Sequence, residues 1–189
     1  MIEERIQSSI DVKQAILNDK VRIEKIQTVI DKITACFQDK HQVFFCGNGG
    51  SAADAQHLAA EFSGQFYLDR PGLPAVALHC NSSYLTAVGN DMGYDKIYSR
   101  LLEASARKGD ILIGLSTSGN SANILEAFRK AREMGIYTIA FTGKSGGLLK
   151  NLADILLNVP SFDTPRIQES HITIGHIICE AVELNLFAK

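Results

Sequence analysis

The chain has 189 residues, of which 46% are hydrophobic, and a formal net charge of −2. This length suits a single domain with its own core and a helical extension. The near-neutral charge excludes the broad basic surface of nucleic-acid-binding proteins but permits a local anion site.

Residues 2–39 are predicted to form a helical arm. Apolar residues recur at helical spacing between charged ones, and no proline interrupts them. We expect a break near Asn18-Asp19, which would divide the arm into two helices. Because an isolated arm of this kind is not stable in water, it must pack on the domain or on another subunit.

From residue 40 onward, short apolar runs alternate with amphipathic segments. This pattern predicts a single α/β domain over 40–189, with a five-stranded parallel sheet covered by helices on both faces. The predicted strands are Gln42–Gly47, Ala75–His79, Ile111–Ser116, Tyr137–Thr142 and Ile155–Val159, and the predicted helices are roughly 51–66, 95–107, 120–134 and 165–187. Because ligands of open α/β sheets bind beyond the carboxyl ends of the strands, the loops of interest are 47–51, 80–91, 116–121, 142–147 and 160–168.

Two of these loops have the composition of a phosphate site. Gly47–Ser51 (GNGGS) and Ser116–Ser121 (STSGNS) each lead into a predicted helix, whose N-terminal N–H groups attract anions. Neither loop fits the dinucleotide or Walker pattern, so no nucleotide cofactor is expected. The alternative, that both loops only make turns and helix caps, is weaker for the second loop. Its four hydroxyls exceed what one cap requires: Ser116, Thr117, Ser118 and Ser121.

Two His–Glu pairs with i,i+4 spacing could supply acid–base groups or metal ligands. They are His57–Glu61, after the first loop, and His176–Glu180, in a last helix that also holds Gln168. The spacing leaves open which pair is functional, and either could be an ordinary ion pair or an interior histidine. Gln168 and His176 are about 12 Å apart along an ideal helix. They could meet at one centre only if the helix began after Gln168 or if they came from different subunits.

The chemistry that fits these groups is aldose–ketose isomerisation. The reaction moves a proton between two adjacent carbons, which requires a positioned base and a group that handles the oxygen protons. A carboxylate and an imidazole suit these tasks. A bound zinc ion could polarise the carbonyl, with histidine, glutamate and the less common glutamine as ligands.

The cysteines and the N-terminus indicate the compartment. None of the four cysteines forms a CxxC pair or a zinc-finger spacing, which fits a reducing environment. Cys46 and Cys179 lie among apolar residues and are expected in the core. The segment MIEERIQSSIDVKQ is charged where a secretory signal is apolar, and no stretch has the length of a membrane span. We therefore expect a cytoplasmic protein with no membrane partner.

Four segments together resemble the phosphoheptose (sedoheptulose 7-phosphate) isomerases, a family with the SIS, or sugar isomerase, fold. They are CGNGGSAADAQHLAAE, VGNDMG, GDILIGLSTSGNSANI and RIQESHITIGH, in this order. The resemblance implies a flavodoxin-like three-layer sandwich whose helical arm, 1–39, serves oligomerisation. It also implies a homotetramer with sites shared between subunits. The implied reaction, through an enediol(ate), converts sedoheptulose 7-phosphate to D-glycero-D-manno-heptose 7-phosphate for bacterial heptose synthesis.

The resemblance also implies a role for each matching residue. Glu61 and His176 would be the acid–base pair, with Glu180 a bystander, and zinc would be held by His57, Glu61, Gln168 and His176. Two positions depart from known members, so substrate choice could differ. Many members have Arg at the position of Gln65, and some have Asp where this chain has Thr164-Pro165. The implied substrate contacts are Asn48, Gly49, Gly50, Ser51, Asn90, Asp91, Ser116, Thr117, Ser118, Ser121 and Gln168.

Two alternatives stay open. One is a binding module without catalysis, like a DnaA-associating replication protein that shares the STS-type loop and the RIQE helix. The retained Glu61 and His176 weigh against it. The other is an isomerase for a different phosphosugar, for which Gln65 and Pro165 leave room.

Overall fold

A computed structural model describes residues 1–188, in which a parallel sheet lies between two layers of helices. The helices are α1 Ile2–Leu17, α2 Lys20–Gln38, α3 Gly50–Ser63, α4 Ser82–Asp91, α5 Ile97–Ser105, α6 Ala122–Glu133 and α7 Thr164–Phe187. The strands are β1 Val43–Gly47, β2 Ala75–Ala77, β3 Ile111–Ser116, β4 Tyr137–Thr142 and β5 Ile155–Asn158. Short 3₁₀ turns occupy Tyr94–Lys96 and Gly147–Asn151.

The sheet has the order β2-β1-β3-β4-β5, and every neighbouring pair is parallel. Strands β1 and β3 are buried along their whole length, as their continuous apolar sequences require in a sheet covered on both faces. Helices α2, α3 and α7 share one core with the sheet, and α5 and α6 share the other. The predicted α/β sandwich is thus confirmed. The strand order reverses between β1 and β3, which is where a flavodoxin-like sheet opens a crevice.

The arm divides into two helices at the predicted place. Asp19 caps α2 by accepting a hydrogen bond from the backbone N–H of Arg22 at 3.0 Å. Helix α2 buries a stripe that includes Val29 and Ile33 in the core shared with α3 and α7. Helix α1 buries only Ile16 and leaves several apolar side chains exposed, among them Ile2, Ile6 and Ile10. The apolar residues of α1 therefore form a surface that the rest of residues 1–188 does not cover.

The structure corrects the prediction of a loop over 80–91, because residues Ser82–Asp91 form α4. Helix α4 buries none of its residues fully, so its sequence lacks a strong apolar stripe. The available signal was Asn81, whose side chain caps the helix by accepting from the N–H of Tyr84 at 3.1 Å. Among residues 1–188, no helix combines the length and the apolar character needed to cross a membrane.

Three of the four cysteines are buried, including Cys46 and Cys179 as expected, while Cys80 is exposed. Burial raises the pKa of Cys36 to about 12, and it also raises the pKa of Cys46. These two thiols therefore stay protonated near neutral pH and act as small core residues.

His171 is a fully buried histidine on α7 that faces β4. Its Nε2 donates to the carbonyl of Thr142 at 3.2 Å, and its Nδ1 has no partner among residues 1–188. Burial lowers the pKa of His171 to about 4, with the Thr142 hydrogen bond opposing the shift. The side chain is therefore neutral at pH 7 and belongs to the core.

This histidine predicts a loss of stability in mild acid. Its folded pKa lies below the unfolded value of 6.5, so its contribution is complete above about pH 6.5 and is lost as the pH falls toward 4. The difference in unfolding free energy between the wild type and His171→Gln should shrink by about 2–3 kcal/mol between about pH 7.5 and pH 4.5. Urea unfolding at the two pH values measures this difference in free energy, and a difference that does not change with pH would contradict the prediction.

Candidate active site

Three predicted residues meet where α3 passes α7. His57 Nε2 lies 2.9 Å from His176 Nε2 and 3.2 Å from Glu61 Oε1. One ligand atom from each of the three side chains lies within 4.8 Å of the other two. The helix spacing places His57 and Glu61 on one face of α3, and only the crossing of the two helices brings His176 to them.

The close approach of α3 and α7 depends on Gly175, next to His176. A Cβ atom at this position would lie 2.6 Å from the side-chain carbons of Leu58, which is closer than packed atoms allow. A glycine on α7 therefore lets the helix carrying His176 pack directly against the helix carrying Glu61.

The hydrogen bonds of this cluster favour one arrangement of protons. If His57 carries its hydrogen on Nε2, it can donate to both Glu61 Oε1 and His176 Nε2, so the lone pair of His176 Nε2 accepts this hydrogen bond. Phe66 packs beside His176, with ring centroids 5.8 Å apart. The cluster thus offers one carboxylate and one basic imidazole nitrogen side by side.

Asp54, one turn before His57 on α3, is a neighbour that the sequence reasoning missed. Its Oδ2 is buried without a hydrogen-bond partner among the described residues. Burial raises the pKa of the Asp54 carboxyl, while the nearby His57 and His176 lower it. Its i,i+3 spacing to His57 was the available signal.

The structure distinguishes the two candidate His–Glu pairs. The cluster contains Glu61, whereas Glu180 is an exposed residue of α7 outside it. Helix α7 begins at Thr164, so the idea that the helix starts after Gln168 is wrong. Within one chain Gln168 lies beside Gly50 instead, since a Cβ on that glycine would be 2.6 Å from Gln168 Nε2.

The hydroxyl-rich loop after β3 is held in a defined shape. Ser116 Oγ lies 3.1 Å from Ser121 Oγ and accepts from the N–H of Gly119 at 3.2 Å. Ser118 Oγ accepts from the N–H of Asn120 at 3.1 Å. Ser116 is buried, Ser121 is half-buried and Ser118 is exposed, so the loop presents hydroxyls from the sheet edge outward. This preformed turn can receive an anion.

Gly119 is the residue that this loop conformation requires. Its φ of +69° lies in the left-handed region, and a Cβ there would be 2.2 Å from the carbonyl oxygen of Gly146. The carbonyl of Thr117 also accepts from the N–H of Gly143 at 2.9 Å. The loop after β3 is therefore locked against the loop after β4.

The two predicted phosphate loops are joined by a pair of amides. Asn48 donates to Asn123 Oδ1 at 2.9 Å, and Asn123 donates back to Asn48 Oδ1 at 2.8 Å. The hydroxyl of Tyr94 also donates to Asn48 Oδ1 at 3.3 Å, and that of Tyr98 donates to the carbonyl of Gly47. Asn123 was not predicted, although it lies only two residues after the hydroxyl loop.

The remaining predicted contacts lie at the ends of α3 and α4. Gly49 precedes α3, and Gly50 and Ser51 form its first turn. Asn90 and Asp91 end α4 and share a hydrogen bond of 2.8 Å. Of the two departures noted above, Gln65 is exposed and Pro165 lies in the first turn of α7. Proline is well tolerated in a first helical turn, because the N–H that it lacks would be unpaired there.

Comparisons with known proteins identify the family of the chain. A family model described as "SIS domain" matches residues 8–143. Phosphoheptose isomerase of Clostridium acetobutylicum is 54% identical over the whole chain and 96% of the relative. The same-named protein of Mycobacterium tuberculosis is 55% identical over 98% of the chain and 95% of the relative.

Solved structures agree as well. The phosphoheptose isomerase of Neisseria gonorrhoeae is 42% identical, with a TM-score of 0.88 and coverage of 97% of this chain and 99% of that one. That of Francisella tularensis is 36% identical, with a TM-score of 0.92 and coverage of 96% and 95%. Fold, cluster and similarity over nearly the full length lead to one conclusion: the chain belongs to the phosphoheptose isomerase family of SIS-domain proteins.

Proposed function

We propose that this protein is an aldose–ketose isomerase that converts sedoheptulose 7-phosphate to D-glycero-D-manno-heptose 7-phosphate. The observation that carries the proposal is the cluster of His57, Glu61 and His176, which lies between α3 and α7. The same fold has a hydroxyl-rich loop after β3. The names of the relatives give the substrate class. A supply of heptose for bacterial glycans and a cytoplasmic location are part of the proposal.

In the proposed reaction, the crevice anchors one end of the sugar phosphate and the cluster acts on the other. The loop Ser116–Ser121 holds the phosphate with hydroxyl and backbone N–H groups. Glu61 takes the proton from C1 of the ketose, which forms an enediol(ate), and returns it to C2. His176 gives a proton to the C2 oxygen and accepts the one on the C1 oxygen. No atom is gained or lost.

The donor set of the cluster also fits a zinc ion. Two imidazole nitrogens and a carboxylate oxygen converge within 4.8 Å, which matches the three protein ligands typical of catalytic zinc. We propose that His57, Glu61 and His176 would hold the ion. When bound, zinc would supply Lewis-acid polarisation of the carbonyl and would stabilise negative charge on the enediolate oxygen.

A homotetramer would explain two features of the single chain. Helix α1 exposes Ile2, Ile6 and Ile10, which a partner subunit could cover. Gln168 lies about 12 Å along α7 from His176, so as a zinc ligand or substrate contact it would act on a neighbouring subunit's site. Light scattering after size-exclusion chromatography should give four times the mass of the chain, and a monomer would contradict this proposal.

The test of function is a substrate panel with metal analysis. Purified protein should convert sedoheptulose 7-phosphate faster than pentose or hexose ketose phosphates, and a chelator should remove zinc and reduce the rate. A faster rate on another sugar phosphate would reassign the substrate. Absence of turnover on every member, together with capture of the replication initiator DnaA, would favour the binding-module alternative.

A further inference from the structure

A second group of side chains, next to the proposed catalytic pair, is buried and charged. Arg70 Nε donates to Glu183 Oε1 at 2.8 Å, and both side chains are only 1% exposed. This burial excludes direct contact with a substrate. Burying two charges is costly, so a buried ion pair is weak evidence of a stabilising role alone.

Arg70 holds the end of the helix that carries Glu61. Its Nη2 donates to the carbonyl of Glu61 at 2.9 Å, and its Nη1 donates to the carbonyls of Phe62 at 2.8 Å and Gly64 at 3.2 Å. Carbonyls at a helix C-terminus lack partners within the helix and favour a nearby cation. The guanidinium therefore fixes the last turn of α3, where the Glu61 side chain originates.

Glu183 connects the same guanidinium to His176 and to its neighbouring loop. It lies seven residues after His176 on α7, which is two helical turns along nearly the same face. Its carboxylate accepts from the N–H groups of Phe66 at 3.3 Å, Tyr67 at 2.8 Å and Leu68 at 2.9 Å. Phe66 is the residue whose ring packs beside His176.

We propose that the Arg70–Glu183 pair positions Glu61 and His176 for proton transfer by fixing the end of α3 against α7. The pair also holds Phe66 beside the His176 ring. This inference rests on the proposed isomerase function. Both residues act through others, so they are positioning residues, and their loss should affect turnover far more than substrate binding.

The test uses Arg70→Lys, which keeps the cation but loses the planar fork, and Glu183→Gln, which keeps the shape but loses the charge. Each variant should lower kcat by about 10- to 100-fold and leave KM within about threefold. Zn²⁺ affinity, measured by competition with a chromophoric chelator, should fall by about 10- to 100-fold, as for other groups that orient metal ligands.

Leu102→Ala is the matched control, because Leu102 is fully buried in the core on the opposite face of the sheet. It should lower Tm while leaving kcat and Zn²⁺ affinity unchanged. If both charge variants lost no more kcat and Zn²⁺ affinity than this control, the positioning role would be refuted. If the wild type showed no isomerase activity, the proposed function would fail, while the Zn²⁺ measurement would still decide the positioning role.

Discussion

Glu61→Gln is expected to lower the kcat for sedoheptulose 7-phosphate by about 10²- to 10⁴-fold. The amide has nearly the size of the carboxylate and can still accept the hydrogen bond that His57 offers at 3.2 Å. It cannot take a proton from carbon, so with zinc at a saturating concentration the loss falls on the chemical step. Steady-state kinetics gives kcat, and calorimetry with the sugar phosphate should show binding within a few-fold of the wild type.

Glu180→Gln is the matched control. Glu180 has the same i,i+4 spacing to His176 that Glu61 has to His57, but it is exposed and lies outside the cluster. The kcat of the Glu180→Gln variant should equal that of the wild type. Equal losses in the two variants would contradict the assignment of Glu61 as the base, and loss of sugar-phosphate binding in Glu61→Gln would indicate a structural role.

Gly119→Ala should distort the hydroxyl-rich loop Ser116–Ser121. Gly119 has a φ of +69°, and the new methyl group would lie 2.2 Å from the Gly146 carbonyl oxygen, so the loops after β3 and β4 must move apart. Backbone strain of about 1–3 kcal/mol adds to the displacement. Loss of one charge-assisted hydrogen bond to phosphate corresponds to roughly a 10- to 100-fold rise in KM. Kinetics and urea unfolding measure the two effects.

Gly135→Ala separates backbone strain from the clash. Gly135 has a nearly identical φ of +70°, but a Cβ there would meet only the Lys108 side chain, at an ordinary 3.4 Å. Gly135 lies between α6 and β4, at the opposite end of the sheet from the hydroxyl-rich loop. This variant should lose about 1–2 kcal/mol of stability with an unchanged KM. A similar rise in KM in both variants would refute a local effect at Gly119.

The layered fold was predictable because the apolar pattern of each strand agrees with its position in a sheet covered on both faces. The strands β1 and β3 are continuous apolar runs closed by Gly47 and Ser116, and such runs suit only strands buried on both faces. The exception was α4, whose capping residue Asn81 is a weaker signal than an apolar stripe. A short helix that buries none of its residues fully leaves little periodicity in the sequence.

Within the site, the sequence predicted the types of residue present better than it predicted which residues contact each other. The i,i+4 pair His57–Glu61 follows from helix geometry, but the choice of His176 with Glu61 rather than with Glu180 needed the crossing of α3 and α7. The amide pair Asn48–Asn123 joins residues 75 positions apart. No local pattern specifies such contacts.

Local sequence was enough to predict the alternation of strands and helices, the two-helix arm and the hydroxyl-rich loop. These depend on backbone periodicity, capping and glycine, which act over a few residues. Local sequence did not specify the contacts between distant segments. Glu61 lies beside His176, Gln168 lies apart from them within one chain, and Arg70 and Glu183 form a buried pair. The packing of helices that are distant in sequence sets these distances, because close packing depends on the shapes of both surfaces together.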